Sequence, residues 1–415
     1  YAGGRMENIM EFQGISKLDL KRRNRTHILS VIKENGPISR VDIASTLKIT
    51  RAAVTIITNE MIEEGVLYEV GEAPIIPQNL QKGRRKILID INPNFKFALG
   101  AAINENAITV GLTNISGEIL DKDMIDITPA TTTEDIVDFI ITSSKKMIQN
   151  SCLDRSKILG IGIGILPEMC SKMKIYYKDG KLDFSSFAEK IESELNIRVS
   201  CKNLISALAL SNQNDVYAEK SGNYIFLKMG KHFNISILLE NEIMHDYVEH
   251  TNSVEKMIVN TDGRQIEGYP DGSVKAELTE TAIQEKYQEV FSSEKTPILW
   301  EITSGNKENI NWKAISMAAS KGDIGVLEVM NGVLKCLSVL LNNLSNAFFA
   351  KYIVLHGFYI DEWINDFVKN YLSLHYGEEL AKKTRVSRTE GELEFKGGCA
   401  ISILEFFYQR GGIAD

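Results

Sequence analysis

Between Gly36 and Gly65 the chain reads GPISRVDIASTLKITRAAVTIITNEMIEEG, and its polar residues fall where one face of a helix would present them. Arg51, Thr55, Thr58 and Asn59 stand at i, i+4, i+7 and i+8 of a segment that Thr50 can cap and in which Ala52 is small. Short polar groups with one guanidinium near the helix start suit base edges and phosphates in a DNA major groove, which a recognition helix enters by its N-terminal part. Ser39 and Arg40 open a shorter helix just before it, and Ser39 with Asp42 fits a capping box. Basic residues flank the pair: Lys21, Arg22, Arg23 and Arg25 upstream, Lys82, Arg84 and Arg85 around Gly83 downstream. Such cations suit phosphates or a minor groove. The candidate DNA-binding set is therefore Arg25, Ser39, Arg40, Thr50, Arg51, Ala52, Thr55, Thr58, Asn59, Lys82, Arg84 and Arg85. A helical hairpin with a solvated face is the plainer alternative.

The elements that must position these groups are legible from periodicity. Residues 17–35 read as a helix stopped at Gly36-Pro37, since the residue before proline avoids helix. Val41, Ile43, Ala44 and Leu47, then Val54, Ile57 and Met61, supply the apolar stripes of the next two helices. Residues 66–70 and 86–91 read as strands around the basic loop. Three helices and a two-stranded ribbon make an α+β winged helix-turn-helix over residues 1–92, and Asn92-Pro93 marks its end.

Strand and helix patterns then alternate. Strands are expected at 96–112, 117–127, 158–166, 198–202 and 352–355, with a hairpin at 224–227 and 235–239. Helices are expected at 133–149 (capped by Thr133), 184–195, 310–321, 322–350, 360–376 and 398–409. The stretch ILGIGIGIL is apolar with glycine at every other position, as in a core strand that helices approach closely. Alternation of this kind predicts a largely parallel, helix-covered sheet. No internal repeat is visible.

At 415 residues, with 44% hydrophobic and 25% charged residues, the chain has the length of two to three domains with a sizeable core. No continuous apolar run approaches the ~20 residues that span a bilayer, and residues 1–30 lack a secretory h-region. These features predict no membrane partner. Five scattered cysteines without CxxC spacing predict reduced thiols in a cytoplasm. The net charge of −8 divides unevenly, +3 over residues 1–90 and −11 over the rest, so only the first part is expected to meet a polyanion.

In order, GPISR, the GRR before a strand ending in INP, GIGIGILP (Gly160–Pro167), YIVLHGF and FKGGCAISILEFF resemble the ROK (repressor, open reading frame, kinase) family over nearly the whole chain. The resemblance implies a winged helix-turn-helix followed by a two-lobed α/β actin-like fold of the sugar kinase/ribonuclease H-like kind over residues 93–415. Lobe one would span about 93–205 plus the C-terminal helix, and lobe two about 206–395. It also implies a homodimer or tetramer that releases a double-stranded DNA operator on binding a sugar-like or protein effector.

Departures from the family pattern are chemical. Its phosphate loop begins with an acid where LGAAINENAI has Ala102, and Asn104, Glu105 and Asn106 stand where glycines and a threonine would cradle phosphate. Its catalytic aspartate is replaced by Leu204 in KNL, which leaves no base for a sugar hydroxyl. In its GEIGH motif Ser253 stands for the glutamate and Lys256 for the histidine, and residues 265–277 lack the cysteines of its structural zinc. The resemblance therefore implies a body without catalytic residues, cofactor or metal, and an effector set of Gly164, Pro167, Asn203, Ser253 and Lys256. His245 and His250, five apart, do not share a helical face for a metal, and His232 and His356 read as satisfied residues. The expected function is a transcriptional regulator, a repressor of carbohydrate or related metabolic genes. The rivals are an active sugar kinase with a DNA-binding appendage and a ligand-free scaffold.

Overall fold

The computed structural model describes residues 17–72, 86–178, 181–216, 222–239, 242–244, 253–357 and 362–413, which form two compact units. Unit one is α1 (Lys17–Asn35), β1 (Ile38–Ser39), α2 (Arg40–Leu47), α3 (Arg51–Glu63), β2 (Leu67–Glu72) and β3 (Ile87–Ile91), completed by residues from 404 onward. Gly36 at φ 65° turns the chain out of α1. Lys48, left-handed at φ 54°, joins α2 to α3 and donates its N–H to Ala44 O. The strands run antiparallel in the order β1-β3-β2, with Ile38 opposite Ile89 and Leu67 opposite Ile91. Ile28, Leu29, Ile32, Ile43, Val54, Met61, Leu67 and Ile89 are buried together as the core of this small unit.

The last residues are part of that core. A π-helical turn, Leu404–Tyr408, buries Phe406 and Phe407, and Phe407 packs against Phe95 at 6.2 Å. Arg25 Nε donates to Gly411 O at 2.7 Å, and Gly411 and Gly412 both turn at positive φ. The division thus falls at Phe95/Lys96 and again at Ile403/Leu404, so the end of the C-terminal helix belongs with the first unit rather than with lobe one.

Unit two carries two five-stranded sheets. In lobe one these are β4 (Phe97–Ile103), β5 (Ala107–Asn114), β6 (Ile119–Asp126), β7 (Ile158–Ile165) and β10 (Val199–Asn203). Between them lie α4 (Thr133–Asn150), α5 (Pro167–Lys172), the two-residue pair β8 (Tyr177–Lys178) and β9 (Lys181–Leu182), and α6 (Ser185–Leu195); α7 (Leu204–Val216) follows β10. Lobe two holds β11 (Tyr224–Lys228), β12 (Asn234–Leu239), β13 (Glu242–Ile243), β14 (Tyr352–His356) and β15 (Thr384–Val386). Counted from its own first strand, each sheet has the order 3-2-1-4-5, antiparallel on one side and parallel on the other. The body is the two-lobed, actin-like α/β fold, built of mixed rather than largely parallel sheets. Its internal repeat lies in topology, where the sequence shows none. Residues 96–112, expected as one strand, are a hairpin turning at Asn104–Asn106, and α4 is capped by Thr132 rather than Thr133.

Glycine spacing sets the lobe-one packing. A Cβ on Gly162 would lie 2.1 Å from Gly398 O, and one on Gly100 2.2 Å from the Cys399 N, so the helix Phe395–Ile403 sits directly on β4 and β7. In lobe two the helix Ile324–Ala347 is long and apolar enough, by length and composition, to cross a membrane. Val326, Met330, Leu334, Leu337, Leu340, Leu341 and Leu344 are buried in that lobe's core, which accounts for its apolar face.

Candidate nucleic-acid interface and effector site

On α3, Thr50 is the N-cap and accepts from Ala53 N at 3.2 Å. Arg51, Ala52, Thr55, Ile56 and Asn59 form its exposed face, whereas Val54, Ile57, Thr58 and Met61 are buried. Thr58 is thus no base contact: its hydroxyl donates to Val54 O and accepts from Arg40 Nε at 3.1 Å. Arg40 also donates to Asn59 Oδ1 and to Glu69 Oε1, at 3.1 and 3.0 Å, and so braces α2 to α3 and the wing. Ser39 is buried as the α2 cap, accepting from Asp42 N and donating to Asp42 Oδ2. Hydrogen bonds from Lys86 and Ser39 hold the Asp42 carboxyl below its ordinary range.

Arg25 is the clearest correction. It is 1% exposed, and its guanidinium is spent on Glu64, at 2.9 and 2.5 Å, and on Gly411 O. A buried, triply bonded arginine is a structural strut and cannot also reach phosphate. Lys82, Arg84 and Arg85 lie outside the described residues. Ile56, 62% exposed, lies on the same face and is not in the candidate set read from the sequence. Its signal was available: it is four residues from Ala52 and three from Asn59, on the polar side of the wheel.

The second set of groups lies at the ends of the lobe-one strands. Asn104 closes the β4–β5 turn, accepting from the N–H of Asn106 and of Ala107 at 2.8 Å, where a kinase of this kind would cradle phosphate. Its amide donates to Glu394 at 2.7 Å, and Glu394 meets His356 of lobe two at 3.2 Å. Burial pushes the Glu394 carboxyl up, but His356, Asn104 and the nearby Lys228 hold it low. Ala102 and Leu204 are buried and bring no carboxylate to the places of the phosphate-loop acid and the catalytic base.

Glu168, at the start of α5, accepts from Asn234 Nδ2 of β12 at 3.2 Å, across the two lobes. The other Glu168 oxygen, Asn234 Oδ1 and Asn203 Nδ2 are buried without a hydrogen-bond partner. Asn203 pairs with Ile165 in the sheet, three residues before Glu168. Orphaned buried polar atoms of this kind call for an explanation, and a hydroxyl-rich ligand is one. Beside them, Glu255 accepts from Phe233 N (3.0 Å), Lys275 Nζ (3.2 Å) and Tyr269 OH (3.2 Å), with His232 Nδ1 at 3.4 Å. Burial raises the Glu255 carboxyl, but His232, the Phe233 N–H and Lys275 outweigh it and hold it low. The bond to Glu255 raises the His232 imidazole, against burial and Lys275.

Two of the expected effector residues are not buried with these groups, and a third, Gly164, stays in the β7–β10 ladder beside them. Ser253 and Lys256 are exposed, because i and i+3 eclipse in the 3-10 turn Ser253–Lys256 and both face out; Glu255 turns in. A Cβ on Gly164 would meet Leu204 at 2.7 Å, so that glycine serves packing against α7. Pro167 opens α5 beside Glu168, and Asn203 is buried with its Oδ1 on Ile205 N. His245 and His250 lie outside the described residues. Among the described residues no three His, Cys, Asp or Glu side chains converge as a metal-holding group. Where the family's zinc would pin the loop before residue 277, buried Glu277 accepts from Arg264 N at 2.7 Å and pairs with Lys286.

Residues 99–363 match the ROK family model, and residues 21–68 a winged helix-turn-helix DNA-binding model. A putative xylose repressor of Caldicellulosiruptor is 30% identical over 146 residues, which are 35% of this chain and 35% of that protein, so the match spans about a third of that relative's length. The xylose repressor of Bacillus subtilis is 21% identical over 349 residues, 82% of this chain and 84% of that one. A solved ROK family transcriptional regulator, described as a homologue of the Escherichia coli Mlc protein, aligns with a TM-score of 0.69 at 18% identity, covering 95% of this chain and 97% of that one.

Proposed function

The chain belongs to the ROK family, and from that premise we propose that it is a DNA-binding transcriptional regulator, a repressor of carbohydrate or related metabolic genes. The observation that carries this is the exposed face of α3, with Arg51, Thr55 and Asn59 outward on a capped, core-anchored helix. The names of the matched relatives agree with it. The body binds a hydroxyl-rich effector through Glu168, Asn203 and Asn234 and does not phosphorylate it. Two copies, as a homodimer or within a tetramer, set half-sites about one or two helical turns apart, in the cytoplasm.

Footprinting of the full chain on the DNA upstream of its own gene and its neighbours, with and without candidate sugars, tests binding, spacing and ligand response together. Arg51→Ala is expected to cost about 1–3 kcal/mol on the preferred site and to relax sequence preference. Equal losses on preferred and random duplexes count against the role of α3. A sugar kinase is the rival, and turnover of ATP with common hexoses or amino sugars would establish it. Ala102 and Leu204 speak against that outcome.

A further inference from the structure

The exposed face of α3 is poorly equipped to read bases by hydrogen bonds alone. Asn59 Oδ1 is held by Arg40 at 3.1 Å, so Asn59 offers its amide nitrogen outward but not the paired donor and acceptor that adenine requires. Thr55 Oγ1 donates to Arg51 O at 2.8 Å, which spends its proton on the backbone and leaves the exposed side chain only an acceptor and a methyl to offer. Between Arg51 and Asn59 stand Ala52 and Ile56, both exposed, with no carboxylate among the five residues of the face. An isolated exposed isoleucine is ordinary. This one sits at the centre of a helix face whose first residue is a cation, next to exposed Lys48 and Arg51, and that combination suits a polyanion with apolar groups on its edge.

We infer that Ile56, with the Cβ of Ala52 and the methyl of Thr55, packs on thymine C5-methyl groups in the major groove. This deepens the DNA-binding reading and rests on it. Thymine alone shows the groove an acceptor beside a methyl, and the face offers donors (Arg51, the Asn59 amide) beside an apolar surface. Ile56 therefore determines specificity without a hydrogen bond of its own, and half-sites carry required T·A pairs at one or two fixed positions.

The full chain, used to select duplexes from a random pool at low salt, supplies the probe, and each thymine of the enriched half-site is then replaced by deoxyuridine. The expected result is a loss of about fourfold in affinity at one or two thymines, the worth of one buried carbon, and little change elsewhere. Ile56→Ala should weaken the thymine duplex, leave the uracil duplex nearly unchanged and keep the wild-type melting temperature, since the residue lies outside the core. Uracil tolerated at every position, or a thymine preference that survives Ile56→Ala, overturns the inference and leaves DNA binding intact. A pool with no enrichment overturns the DNA-binding reading itself.

Discussion

Arg25→Ala separates a structural arginine from a DNA contact. Arg25 is 1% exposed, while its partner Glu64 is 45% exposed, so the freed carboxylate can rehydrate and the pair is screened. The Glu64 share is therefore below ~1 kcal/mol. The larger losses are the buried stem, about 0.8 kcal/mol for each of the two methylenes (Cγ and Cδ) that alanine lacks, and an orphaned Gly411 carbonyl, worth ~1 kcal/mol. Together they set the expected destabilisation of the first unit at ~2–4 kcal/mol. Hydrogen exchange on the amides of α1 reads that unit directly, without requiring the whole chain to melt in one step. Protection should fall by about 30-fold to 1,000-fold on Arg25→Ala, and by less than tenfold on Glu64→Gln. Unchanged protection, with affinity reduced on every duplex and a salt slope lowered by about one, would refute the reasoning and restore Arg25 as a phosphate contact.

Two further outcomes are expected. Gly162→Ala drives a methyl onto Gly398 O and the Ser402 N–H, backbone that cannot swing aside, and should destabilise the body by ~1–3 kcal/mol; scanning calorimetry would show the body transition lowered, and a wild-type transition would contradict the close helix approach. The Glu255–His232 pair makes the body's stability depend on pH from both sides. Glu255, held below its ordinary 4.5, contributes above that value and fails as pH falls through its lowered one. His232, raised above 6.5, contributes fully below 6.5 and is lost as pH rises through its raised value. Thermal midpoints should therefore be highest between about pH 4.5 and 6.5, and His232→Gln should flatten the alkaline limb; an unaltered limb would remove His232 from the account.

Much of this fold was legible because it depends on periodicity. Residues 17–35 end in a helical apolar cluster stopped by Gly36-Pro37 and residues 158–166 are continuously apolar, and the helix and strand found there agree to within a residue. The site was less legible, for physical reasons that differ by residue. Arg25 looks like any basic residue near a helix start, and only a carbonyl 386 residues away shows why it is buried. Ser253 and Lys256 occupy the motif positions, but the tight turn decides which side chains point inward, and it selects Glu255. Ile56 is exposed on α3 although isoleucine is a residue type found mostly in cores, so residue type alone does not place it on the outer face. The matching strand orders of the two lobes left no trace in the sequence, since hydrogen-bond registry constrains backbone far more than side-chain identity.

The return of residues 404–413 to α1 has an implication for synthesis. Head domains at an N-terminus ordinarily close while the ribosome is still extending the chain. Here the strut from Arg25 finds its last acceptor only after the whole body has been translated, so a nascent or prematurely terminated product carries an unfinished reading head. Fragments of this protein would then compete poorly for operators, and occupancy would report only chains that had been made through to Gly411.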